Sequence, residues 1–357
     1  MTDEYNIGSE SYNICVLENN TCLYPDTSNY SVVFMDILYA VVVIIGLVAF
    51  ETVASIDNAI INADILSTMK AWARRWFLTW GLIIAVFGVR GLLPWAIIWA
   101  SAPSLGPIGA LTATFSGDET AALAIEHSAP FLLLAGGVFM IFLFLHWFMV
   151  EQKNCIVPGE LAFSKTGPWF YAAAAIILLA IVYFTVQINP FLAVAAVAGS
   201  AIFFIMQGFR LFADAKSLEL ETKTVDVNET GHKSDISKLM LLEVIDATFS
   251  IDGVVGAFAF TMSVPLILIG NGIGALVVRE LTIRNVDSIR KYAYLKNGAM
   301  YSIFCLGIIM CSEGFGLELP IWIAPVLTVS IVAVFFWLSL RRIKRHDYGE
   351  CPAPRKE

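Results

Sequence analysis

Two octapeptides hold the residues of this chain best suited to chemistry: "ETVASIDN" (51–58) and "DATFSIDG" (246–253), each inside an apolar run. Laid one on the other, they match Glu51 with Asp246, Ser55 with Ser250 and Asp57 with Asp252, at a constant offset of 195 residues. A charge at the centre of a membrane helix costs roughly 2.5–3.5 kcal/mol, so four acids cost on the order of 10 kcal/mol. Groups retained at that cost pair, face water or bind an ion. Glu51, Asp57, Asp246 and Asp252 are therefore the expected ligands, with Asn58, Ser55 and Ser250 as helpers. Carboxylate, amide, hydroxyl and carbonyl oxygens favour hard divalent cations such as Mn²⁺, Ca²⁺ or Mg²⁺ over Cu⁺ or Zn²⁺. The competing reading is a buried ion-pair network that only holds the bundle together.

Helical geometry refines the arrangement. At about 100° per residue, Glu51, Ser55, Asn58 and Asn62 share one stripe, whereas Asp57 falls about 120° away, nearer Asp64. Asp246, Ser250 and Gly253 repeat that stripe and Asp252 repeats the offset. For both acids of a motif to reach one ion, the helix must loosen near Ser55–Asp57 and near Ser250–Gly253. Glu243, about one turn before Asp246, is a secondary ligand or proton site. Each motif is followed by an apolar run with one arginine, Arg90 in "FGVRGLLP" and Arg279 in "ALVVRELT". These two are expected to lie within reach of the acids and balance their charge.

The elements that must position these residues are membrane helices. The chain of 357 residues is 58% hydrophobic with a mean hydropathy of +0.75. A hydrocarbon core takes about 20 helical residues, and nine apolar runs read as its spans: roughly 33–66, 76–100, 130–149, 169–186, 190–212, 238–262, 264–282, 298–311 and 320–340. "QINP" (187–190) divides the fourth from the fifth. No Lys or Arg precedes Lys70, and with nine spans every basic loop falls on one side. Cytoplasmic loops retain Lys and Arg, so the N-terminus is expected outside and the C-terminus inside.

The first acidic helix then runs inward and its counterpart outward. Inverted repeats of this kind are the usual construction of secondary transporters, with the site where interrupted helices meet near the midplane. The expected organisation is a polar extracytoplasmic tail (1–32), a first repeat (33–151), connecting spans four and five (152–212), a cytoplasmic linker (213–237), a second inverted repeat (238–311), a last span with a basic cytoplasmic end (312–345) and a tail (346–357).

The segments "ETVASIDNAI" and "EVIDATFSIDGVVGAFAFT" resemble the signature segments of the TerC family of integral membrane proteins, especially its longer, uncharacterised-domain branch. The likeness covers roughly 35–340. It implies a broader group of cation exporters that use paired acidic motifs, with manganese export the best supported role and tellurium resistance the historical name. The second motif departs by placing Asp246 where the first has Glu51 and Gly253 where the first has Asn58, leaving the halves unequal as ligand donors.

The resulting expectation is a non-enzymatic transporter in the lipid bilayer of a prokaryotic-type plasma (inner) membrane. Its partners are metal ions and protons, with no organic cofactor and no nucleic acid, since no basic binding face is present. Two alternatives come from other classes: an intramembrane aspartyl protease built on Asp57 and Asp252, and a membrane assembly or insertion factor in which the acids are structural. Several other residues receive quieter readings. Cys15 and Cys22 either pair or stay as thiols. His127 and His146 read as polar boundary residues, Met140 and Met149 as packing. Trp72, Trp76, Trp95, Trp99, Trp147 and Trp322 read as interfacial belts, and "GNGIG" (270–274) as close helix packing.

Overall fold

The computed structural model describes residues 27–67, 69–81, 83–84, 88, 90–101, 103–110, 119–151, 167–223, 231–289, 292 and 294–345. Cys15, Cys22 and the side chains of Asp57, Asn58 and Asp64 lie outside the described residues. The chain divides into two units, Met1–Val41 and Val42–Glu357. The first holds the start of helix α1; every contact below lies within the second.

The described residues form helices and no strand. In order they are α1 (Thr27–Ala54), α2 (Ile56–Ser67), α3 (Ala71–Trp76) running into a π turn at Phe77–Gly81, α4 (Arg90–Ser101), α5 (Glu119–Met149), α6 (Phe170–Ile188), α7 (Pro190–Lys223), α8 (Gly231–Ala257), α9 (Val264–Ile289), α10 (Leu295–Gly314) and α11 (Ile323–Arg345). Among the described residues, six segments are long and apolar enough to cross a membrane: Ile37–Ala54, His127–Met149, Gly167–Ile188, Pro190–Phe212, Leu295–Gly314 and Ile323–Ile343. By length and composition this is an α-helical membrane protein. The expected runs 76–100, 238–262 and 264–282 are not among the six; they hold Arg90, the acids of the second motif, and Arg279.

Burial sorts the helices. The α5 segment is 61% buried and the α6 segment 17%, so α5 is central and α6 peripheral. Tyr171, Ile176, Leu179 and Phe184 of α6 face outward, as lipid contact allows and water does not. The division of α6 from α7 falls at the expected place. Asn189 is extended, its Oδ1 accepts the Phe191 N–H at 3.0 Å, and Pro190 opens α7, where no intrahelical N–H is required.

α10 lies antiparallel to α5: Lys296 reaches Glu151 at one end, and Gly314 packs on Leu134 at the other. α7 runs parallel to α5, with Gly199 against Ala135 and Gln207 against His146. α11 is antiparallel to α10, with Gly298 on Phe335 and Ser339 Oγ accepting the Tyr294 N–H. These directions bring Arg210, Lys296, Arg341 and Arg342 to one common end of the bundle. There Arg341 stacks 3.4 Å from the centroid of Trp337.

Three expectations change. Trp147 is not an interfacial residue: it is fully buried, with Phe144 and Tyr301 as ring neighbours, because its helix runs through the centre. The linker expected at 213–237 is helical at both ends, since α7 continues to Lys223 through "LELETK", a run of strong helix formers, and α8 begins at Gly231. The first motif interrupts its helix at Ser55, as its spacing predicts, but the second does not. α8 is unbroken through Ser250–Gly253 and ends at Ala257, where Phe258, Ala259 and Phe260 each bond three residues back.

Candidate cation site

Glu51 sits at the end of α1 and is fully buried. Its Oε1 accepts Arg90 Nη2 at 2.6 Å, Arg90 Nε at 3.1 Å and the Ser55 hydroxyl at 2.8 Å. Arg90, the first residue of α4 and itself buried, also turns Nη1 toward Asp246 Oδ2 at 3.9 Å. One guanidinium thus stands between an acid of the first motif and its matched acid of the second.

Two glycines make room for Glu51. A Cβ at Gly274 of α9 would lie 2.6 Å from the Glu51 Cβ, and one at Gly253 of α8 would strike Glu51 Oε2. The departure of the second motif from the first at this position, Gly253 for Asn58, is thereby explained: the other half's carboxylate occupies the space. "GNGIG" is close packing, with Gly270 on Leu47 and Gly274 on Glu51. Replacing Gly274 by alanine would set its Cβ against the Cβ and Cγ of Glu51 within a packed core, which costs about 1–3 kcal/mol. Thermal unfolding of the purified variant in detergent should show that loss, and an unchanged midpoint would contradict this packing.

A cavity of about 60 Å³ opens beside the Arg90 guanidinium, lined by Ser55, Asn62, Asp246 and Arg279 among others. One water needs roughly 10–15 Å³, so a cation with some of its hydration fits. Asn62 Oδ1 and Arg279 Nε are buried without a hydrogen-bond partner among the described residues, as is Glu51 Oε2. Unsatisfied buried polar atoms are costly and therefore informative. Glu243 lies nearby with Oε1 also unpartnered, against Gly81 of the π turn.

The matched serines behave differently. Ser55 donates to the carboxylate of Glu51, whereas Ser250 donates to the backbone carbonyl of Asp246 at 2.7 Å. The second acid of the second motif leaves the cluster altogether: Asp252 pairs with Arg210 of α7. Among the described residues no three His, Cys, Asp or Glu side chains converge closely enough to hold a metal. The structure thus brings Glu51, Ser55, Arg90, Asp246 and Arg279 to one place and takes Asp252 to another.

Sequence reasoning missed Arg210, Glu151, Lys296 and Asn271. Arg210 interrupts the apolar run of α7 in "QGFRLF", a usable signal, but its nearness to the linker disguised it. Asn271 is fully buried in α9 with both amide atoms unpartnered among the described residues. His146 is more than a boundary residue: its Nε2 lies 3.1 Å from Gln207 Nε2, and its Nδ1 lies 3.8 Å from Glu151.

Glu151, just past the end of α5, also accepts Lys296 Nζ at 2.9 Å. Burial alone would push its carboxyl up; His146 and Lys296 outweigh burial and hold it down at about 2. A depressed carboxyl contributes stability that is present above its ordinary value of 4.5 and is lost as pH falls toward about 2. Glu151→Gln should therefore be less stable than wild type at neutral pH, and the gap in melting temperature should close only below pH 4.5. A gap that does not change with pH would contradict the assignment.

The model for a family described as "Protein of unknown function (DUF475)" covers residues 56–346. The chain belongs to the DUF475 family. That match takes in Asp57, Arg90, Asp246, Asp252 and Arg279, and begins just after Glu51 and Ser55. No curated protein and no solved structure matches this DUF475 chain.

Proposed function

We propose that this protein is a secondary transporter that exports a divalent cation, Mn²⁺ foremost, with protons moving the other way. The observation that carries the reading is the shared Arg90: one buried guanidinium stands between Glu51 and Asp246, matched acids of two repeated motifs, beside a small polar cavity. In this reading the guanidinium is a tethered stand-in for the substrate. A divalent cation displaces it, drawing on Glu51, Asp246 and the cavity-lining oxygens of Ser55 and Asn62, and the sequence motif offers Asp57 and Asn58 as further candidate ligands.

Several carboxylates at one site cannot all stay ionised without a cation, so loss of the metal is accompanied by protonation. The same groups then hold metal or protons in turn, and rocking of one repeat against the other carries each across. Nine spans in two inverted repeats, with the basic ends cytoplasmic, are the architecture this requires. The common end that gathers Arg210, Lys296, Arg341 and Arg342 supports that orientation. The likeness to TerC proteins supplies Mn²⁺, the outward direction and the prokaryotic-type plasma membrane.

A structural network is the second reading, favoured by the pairing of Glu51 with Arg90 and of Asp252 with Arg210. The two differ in metal-dependent stability. Ligand at one hundred times its Kd stabilises by about 2.7 kcal/mol, so Mn²⁺ should raise the melting temperature of the purified protein in detergent. No shift with Mn²⁺, Ca²⁺ or Mg²⁺ would count against the transport reading.

A further inference from the structure

A second polar compartment lies at the end of the bundle that holds the basic residues. It is a cavity of about 430 Å³, lined by Asp252, Arg210, Glu151, Lys296, His146 and Gln207 together with apolar side chains of α1, α2 and α10. Its charges are balanced by contact: Arg210 pairs with Asp252, and Lys296 with Glu151. Asp252 lines this space and is more than nine-tenths buried, and its Oδ1 is buried with no hydrogen-bond partner among the described residues.

The compartment is joined to the first site by a single residue step. Asp252 is bonded to Gly253, and Gly253 rests on the unpartnered Oε2 of Glu51, whose other oxygen is held by Arg90. Glu51 therefore presents one oxygen to the Arg90 side and one to the backbone behind Asp252. A cation held at Asp252 would sit next in line to the Glu51–Asp246 pair. Because Asp252 already carries a guanidinium, a mobile cation can enter only by displacing a tethered one. Two positive charges on one buried carboxylate would leave an excess charge in a low-dielectric space.

We propose that this cavity is a cation-binding antechamber, in which Asp252 captures a hydrated divalent cation as Arg210 swings away. It rests on the transport reading and adds the route of approach, from the end that carries Lys296 and Arg341. A mixed-charge lining suits a hydrated ion: the carboxylates attract it, while Arg210 and Lys296 keep the compartment neutral when no ion is held. Gln207 and His146 offer polar atoms to its water shell.

The test is side-specific labelling of the full chain with its own cysteines retained and wild type as baseline. Met300→Cys and, separately, Ile303→Cys place thiols on the α10 face of the cavity. In membrane vesicles of known orientation, a membrane-impermeant maleimide should modify both from the Lys296 end and neither from the other end, as read by peptide mass spectrometry. Mn²⁺ at about ten times its Kd should slow the modification about tenfold. Asp252→Asn should remove the slowing, and Arg210→Gln should produce it at lower Mn²⁺. Labelling from both ends or neither, or no slowing by Mn²⁺, Ca²⁺ or Mg²⁺, would overturn the proposal. Metal flux in proteoliposomes without slowing would overturn the antechamber and leave the transport reading; slowing without flux would do the reverse.

Discussion

On the proposed transport reading Glu51→Gln still inserts, melts below wild type because the buried Arg90 loses its nearer charge partner, and its Mn²⁺ transport falls by at least about a hundredfold. The amide oxygen of glutamine can still accept the Arg90 and Ser55 hydrogen bonds that Glu51 Oε1 accepts, so the local scaffold survives. What is lost is the negative charge and one ligand for a hard cation. Removing groups that merely orient a ligand commonly costs 10–100-fold in metal affinity, and loss of a ligand itself costs at least as much. Transport by the variant, measured in proteoliposomes and normalised to inserted protein, decides the matter. Near-normal transport would remove Glu51 from the site.

The second large effect is on stability. Arg90→Gln leaves the carboxylates of Glu51 and Asp246 without the guanidinium between them, and breaking a buried pair by removing one partner costs about 3–5 kcal/mol. The loss should appear as a lower melting temperature in detergent and a smaller yield of folded protein. It should be partly recovered when Glu51→Gln is combined with Arg90→Gln, because the nearer and more deeply buried of the two uncompensated charges is then gone. Recovery of stability without recovery of transport is the signature of a site whose charges serve function. If the double variant is as unstable as Arg90→Gln alone, Arg90 is holding the fold through contacts other than Glu51.

The membrane class and the division between α6 and α7 were readable because both rest on local rules: apolar length in one case, Asn-Pro punctuation in the other. The meeting of the two motifs was readable from their equal spacing on helices of opposite direction, and the nearness of Arg90 to the acids, though not which acid it holds, from the cost of isolated charge at depth. What spacing could not convey is that equal sequence positions need not receive equal surroundings. Ser55 and Ser250 match in sequence, yet one bonds a carboxylate and the other a carbonyl.

In the sequence Gly253 reads as a position where the second motif lacks a ligand donor; three-dimensional contact shows it as the space into which Glu51 fits. The loosening expected at Ser250–Gly253 fails for the same reason, since a glycine needed for close approach is compatible with an unbroken helix. Arg210 was hidden by its neighbours: next to a charged linker, an arginine ending an apolar run reads as part of the loop. Its partner Asp252 is 42 residues away, across a helical hairpin whose register the sequence does not display.

The central claim is that the paired acids exchange a divalent cation for protons. The most direct measurement is Mn²⁺ flux in proteoliposomes that enclose a pH dye and contain the full chain. The account predicts Mn²⁺ movement coupled to an opposite movement of protons, both abolished by Glu51→Gln. Metal flux with no pH change would contradict proton exchange, and no flux with Mn²⁺, Ca²⁺ or Mg²⁺ would contradict the transporter itself.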